Sequence, residues 1–289
     1  FLEHGSIAMK PMVLRDIAIY RGFSDPPFSL KAIALTFPQL VLGILSGQPV
    51  SLRRILELFN ELANRNSMTP ILASGPSGAR VNIAVLGDGF AVGNDQLMYN
   101  RRVRDLLMHG LFNQDFYKEH KDDFNVYRVN LISQDSGVGT RTYDNNNHLT
   151  NENRRNTALG FFYTGVWSRC WNEYGQNTAF CLEHALQKWV PDHTLALVLL
   201  NIAGGGGCGG NGVARMPAGV GWEVIAHEFG HALGDLGDEY CSGDTETYTG
   251  SEPDSANLTT HTKDDSSLKW YKFITRTPAP PIPTGRGPC

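Results

Sequence analysis

Two histidines and a glutamate fall within five residues, at His227, Glu228 and His231, inside the segment Trp222 to Tyr240, WEVIAHEFGHALGDLGDEY. Residues four apart on a helix share one face and lie about 6 Å apart along its axis, so both imidazoles can reach one ion. This HExxH spacing suits zinc. The glutamate next to the first ligand is left to take a proton from water, as a general base, rather than to bind metal. The positions around them, Val224, Ile225, Ala226, Phe229, Ala232 and Leu233, are apolar. A helix with so little charge is expected to be buried, and buried histidine and glutamate side chains need partners, which argues against a chance match on a solvated helix.

A catalytic zinc commonly takes three protein ligands and keeps its fourth position for water. Asp235 lies eight residues after His227, about 12 Å along the axis of a continuing helix and too far to join the pair. Gly234 and Gly237 offer the positive φ that ends a helix and turns the chain back. Asp238 then becomes the best-placed third ligand, with Glu239 as its adjacent competitor. Tyr240 could donate to an oxyanion, or pack as a core tyrosine.

The elements that must carry these residues are read from periodicity. Val81 to Leu86 is apolar and β-rich, Gly87-Asp88-Gly89 turns, and Asn94 can cap a helix carrying Leu97, Val103, Leu106 and Leu107. Asp88 reads as a turn residue. Phe124 to Ile132 alternates as a strand, and Thr194 to Ile202 is a continuous apolar run suited to a buried central strand. Asp144 to Asn156, rich in Asn, predicts a long surface loop, and Thr178 to Val190 a helix ended by Pro191. Strands alternating with helices predict an α/β or α+β fold, a mixed twisted sheet with helices on both sides. Ser51 to Arg65 has helical spacing, and Met68 to Gly78, MTPILASGPSG, has the composition of a linker. The expected division is therefore a helical or poorly defined segment over 1–78 and the catalytic domain over 79–289.

The segment HEFGHALGDLGDEY at 227–240 resembles the HEFGHxxxxLxDEY segment of the bacterial IgA-peptidase family of zinc metallopeptidases. VNIAVLGDGF at 81–90, FNVYRVNLISQDSG at 124–137 and LVLLNIAGGGGCGG at 197–210 resemble that family's first strand and turn, second strand and Gly-rich edge. The resemblance covers roughly residues 78–275. It implies a zincin-like, metzincin-like fold with an HExxH active-site helix, a chain turn at Gly234, and zinc-dependent endopeptidase activity on a protein or peptide substrate. Where a metzincin has its third histidine this chain has Gly237, with Asp238 one residue on, and no methionine follows Met216 to form a methionine turn. The start at Phe1 and the ending TRTPAPPIPTGRGPC suggest a fragment, possible truncation falling at the C-terminus of the domain.

Gly204 to Gly210 lacks the GK[ST] ending of a phosphate loop and reads either as a sheet edge open to an extended peptide or as a mobile linker. Net charge −4 over 289 residues, with no basic run, gives no field for a phosphate backbone, so nucleic acid is not an expected partner. The apolar stretch Ala32 to Leu45 is too short to span a bilayer and reads as a buried element or a displaced signal-peptide core. Cys170, Cys181, Cys208, Cys241 and Cys289 fit no metal-cluster spacing. One or two disulfides, Cys208 with Cys241 among the options, or buried free thiols are expected, and with the former a secreted, cell-surface or periplasmic location. His184 and His193 carry no assigned chemistry, His4, His109, His120, His148 and His261 lack ligand-like neighbours, and Asn257 opens an Asn-Leu-Thr sequon. HExxH reports a reaction rather than a substrate, so a zinc hydrolase of non-protein amides and an inactive zincin-fold binding module stay open beside the peptidase.

Overall fold

The computed structural model describes residues 66–166, 170–238, 250–261 and 266–274. The expected helix at 51–65, the apolar stretch at 32–45, and Glu239, Tyr240, Cys241 and Cys289 lie outside them. In chain order the strands are β1 (Ser67–Ala73), β2 (Val81–Asp88), β3 (Phe124–Asn130), β4 (Gly139–Tyr143), β5 (Leu149–Asn153), β6 (Phe161–Tyr163), β7 (Asn172–Tyr174), β8 (Leu195–Leu200), β9 (Cys208–Gly210) and β10 (Val213–Pro217). The longer helices are α1 (Asn94–Val103), which runs on as a π-helical turn over Arg104–Gly110, α2 (Thr178–Trp189) and α3 (Trp222–Gly234).

Six strands form one mixed sheet in the order β1-β3-β2-β8-β10-β9, and four form a smaller one, β5-β4-β6-β7. In the large sheet β3, β2, β8 and β10 are parallel, while β1 and β9 close the two edges antiparallel. Central parallel strands are covered on both faces, which is why β8 can be apolar throughout. Its residues divide by parity: Leu195, Leu197 and Leu199 enter one core, and Ala196, Val198 and Leu200 the other. Tyr99 and Val103 of α1 and Ile225 and Phe229 of α3 fill the first core, and Leu182 and Leu186 of α2 the second. The expected α+β architecture, a mixed sheet with helices on both sides, is therefore present, and it is consistent with a zincin-like peptidase fold.

Three local readings need correction. The segment expected as a linker, 68–78, contains most of β1, a sheet strand lying before residue 78. Pro70 misleads there, because proline is tolerated on an edge strand, and the pairing with β3 shifts register between Pro70 and Leu72. The surface loop expected over 144–156 contains β5, paired with β4 as an exposed hairpin whose polar residues gave no alternation to read. The N-cap of α1 is Gly93, at φ 77°, rather than Asn94, and it makes no side-chain capping bond.

The start of α3 is fixed from α1 and its π-helical extension. The Arg102 guanidinium donates to the carbonyls of Ala218 and Val220 at 2.6 and 2.9 Å, holding the turn that leads into the helix. Gly110 meets Trp222 so closely that a Cβ there would lie 2.6 Å from the Trp222 Cβ. Among the described residues no helix is long and apolar enough to cross a membrane.

Candidate metal centre

Helix α3 points Ile225, Glu228 and Phe229 inward and leaves His227 and His231 on the adjoining face, turned toward an open cleft of ≈ 640 Å³. It ends at Asp235, which adopts the left-handed conformation at φ 51°, ψ 36°. Asp235, not Gly234 or Gly237, thus supplies the chain reversal expected of a glycine; a short polar side chain tolerates this region better than most. Leu236 N–H bonds back to the Gly230 carbonyl, and the chain then returns alongside the helix.

The reversal brings Asp238 to the two histidines. His227 Nε2 and His231 Nε2 are 3.1 Å apart, and Asp238 Oδ1 is 3.1 Å from each. Ligand atoms of a tetrahedral zinc with bonds of about 2.0–2.2 Å stand roughly 3.3–3.6 Å apart, so a triangle of this size fits one small ion. The His231 ring also has a defined polarity. Its Nδ1 lies 2.5 Å from the Leu236 carbonyl oxygen, which can only accept, so Nδ1 carries the proton and the Nε2 lone pair faces Asp238 and His227. An outer carbonyl fixing the tautomer in this way is the usual support of a metal-ligating histidine. Two imidazoles and a carboxylate converging on one point form a donor set suited to a divalent cation, and among the described residues His227, His231 and Asp238 are the group that could hold one.

Glu228 is 4% exposed, and burial pushes its carboxyl up to about 7; Asp238 adds to the rise, while His231 and Arg215 oppose it. The cover is the Gly-rich edge. A Cβ on Gly207 would lie 2.6 Å from Glu228 Oε1, and one on Gly209 would lie 2.3 Å from the Glu228 carbonyl oxygen and 2.9 Å from the His231 Cβ. Gly204 to Gly210 therefore ends in a true edge strand pressed on the helix, and only residues without side chains permit that approach. Arg215 of β10 lies in the same region, with its own proton affinity lowered by burial. Its Nε donates to the Asn172 carbonyl at 2.8 Å and its guanidinium stacks 4.8 Å from the Tyr174 ring centre.

Cys208 is joined to Cys170, not to Cys241 as one option had it, tying β9 to the chain just before β7. Cys181 is a free thiol. Asp88 is fully buried and accepts hydrogen bonds from Leu159 N, Phe161 N and Thr157 Oγ1 at 2.8–3.0 Å, so it anchors the smaller sheet to the end of β2. Burial raises its pKa. Arg215, the Leu236 carbonyl and Asn257, which bonds to the backbone of Gly237, are parts of the site that no motif announced.

A family model described as IgA Peptidase M64 matches residues 69–286, well over half of the chain. The chain belongs to the IgA peptidase M64 family. It is a peptidase by that membership, and the triangle of His227, His231 and Asp238 lies within the matched span. Compared with curated proteins individually, the chain matches none.

Proposed function

We propose that this M64 peptidase is a zinc-dependent endopeptidase in which His227, His231 and Asp238 hold the ion and Glu228 is the general base. The observation that carries this reading is the 3.1 Å triangle of two imidazole nitrogens and one carboxylate oxygen, with the buried Glu228 next to its first member. When bound, zinc supplies Lewis acidity that polarises the scissile carbonyl and brings the ionisation of water toward neutral pH. The remaining work belongs to the chain. Glu228 takes the proton of the attacking water and returns it to the leaving amine nitrogen. His231, held by the Leu236 carbonyl, keeps its lone pair directed into the site.

The exposed side of β9 can pair with an extended peptide, and its glycines let a substrate backbone come close. The protein or peptide substrate follows from that edge together with the family. The Cys170–Cys208 disulfide favours an oxidising compartment, so we assign the chain to the secreted, cell-surface or periplasmic proteins.

Hydrolysis of a broad peptide library with and without chelator tests the reading. Turnover is expected to vanish on metal removal and return with zinc, and Glu228→Gln is expected to lower it by about 10²–10⁴-fold, the usual contribution of a general base. Unchanged turnover in either case contradicts the reading, and an inert peptide library with zinc bound would point to non-protein amides or to a binding module.

A further inference from the structure

Asp238 differs from the two histidines in having no helix to place it, so its position depends on what holds residues 236–238. Leu236 is tied through its carbonyl to His231 and through its N–H to Gly230. Gly237 is held by a residue twenty positions later. Gly237 N–H donates to Asn257 Oδ1 at 2.9 Å, and Asn257 Nδ2 donates to the Gly237 carbonyl at 2.8 Å. The primary amide thus mimics the two-bond exchange of an antiparallel strand pair on the peptide groups flanking one residue. Because the N–H takes the oxygen and the carbonyl takes the nitrogen, only one orientation of the amide satisfies both bonds.

The segment bearing Asn257 is itself fastened. Lys269 Nζ donates to the carbonyls of Pro253, Ser255 and Leu258. Glu252 Oε2 accepts from both the N–H and the hydroxyl of Thr260, at 2.7 and 2.6 Å. Contact with Gly237 is close, since a Cβ there would lie 2.5 Å from Leu258 Cδ1 and 3.0 Å from Ser255 Oγ. A substituted residue at 237 would make the Leu258 and Ser255 side chains turn aside.

We propose that Asn257 is a positioning residue for Asp238: by clamping both backbone groups of Gly237 it fixes the carboxylate that completes the metal triangle. The inference rests on Asp238 acting as a ligand. The two bonds of Asn257 engage the backbone of Gly237, one residue before the ligand.

The test is zinc affinity by chelator competition on the whole chain, made in a host that does not glycosylate, for wild type, Asn257→Ala, Asn257→Asp, Asp238→Ala and the Asn257→Ala/Asp238→Ala pair. Thermal unfolding of each metal-free protein is followed alongside. Asn257→Ala is expected to weaken zinc binding by about 10–100-fold, the range typical of residues that orient metal ligands. Asn257→Asp keeps the acceptor for Gly237 N–H and loses the donor, so it falls between wild type and alanine and serves as the reading should alanine fail to fold. In the Asp238→Ala background the Asn257 effect is expected to disappear. A folded Asn257→Ala or Asn257→Asp protein with wild-type affinity overturns the proposal, as does an Asn257 effect of equal size with Asp238 removed. Undiminished affinity in Asp238→Ala alone would instead show that Asp238 is not a ligand, a separate failure of the reading on which the proposal stands.

Discussion

His227 and His231 sit on a helix whose other face, Ile225 and Phe229, is sealed into the larger core, whereas Asp238 sits on non-helical chain held by hydrogen bonds to the Gly230 carbonyl, the His231 ring and the Asn257 amide. Apolar burial places the first two side chains, and polar contacts with sequence-distant groups place the third. In the proposed centre one ion would be held by parts of very different stability. The helix cannot shift without opening the core, while the returning chain can move at the expense of a few hydrogen bonds. Binding an ion would then do most of its ordering on the side of Asp238.

Substitutions on the two sides should separate these contributions. The largest effect is expected for Phe229→Ala, which empties a fully packed position and should lower unfolding free energy by about 3–5 kcal/mol, read by denaturant titration. Loss of metal binding would accompany it only as a result of unfolding. On the β9 edge pressed against α3, Gly209→Ala forces a methyl against the backbone of Glu228, and a loss of about 1–3 kcal/mol is expected in the same titration. Asp238→Ala should behave oppositely to Phe229→Ala, leaving the chelated protein within roughly 0.5 kcal/mol of wild type, as for an exposed position. Its zinc affinity should fall further than the roughly 10–100-fold seen for residues that only orient ligands. The smallest effect is expected at the hinge between the sides, where Asp235→Gly relieves the left-handed conformation and should raise stability by no more than about 1 kcal/mol. A β-branched residue such as valine should lower it there. If Asp238→Ala destabilised the metal-free chain as much as Phe229→Ala does, the contrast between the two sides would be lost.

The same division explains what could be read in advance. The periodic elements β2, β3, β8 and α2 were legible because burial writes apolar residues at spacings of two or between three and four. The histidine pair was legible because its spacing is a property of one helix. Asp238 can be reached by counting residues past a helix end, although the glycines point to the wrong turning residue, because a left-handed aspartate leaves no composition signal. β1 and β5 were hidden by Pro70 and by the polar residues of an exposed hairpin. Arg215 on β10, the Cys170–Cys208 pairing and the Asn257 clamp join distant parts of the chain, and such contacts leave no local pattern. The Gly-rich edge was half legible: its glycines stood out, but their reason, the close approach of Glu228, exists only once helix and sheet are packed.

The proposed metal centre is tested by an anomalous difference map at the zinc edge from crystals of the zinc-loaded chain. One dominant peak is expected about 2.0–2.2 Å from His227 Nε2, His231 Nε2 and an Asp238 carboxylate oxygen, with Glu228 near but not bonded to it. A peak bonded to Glu228 or Glu239 in place of Asp238, or none between the two histidines, would contradict it.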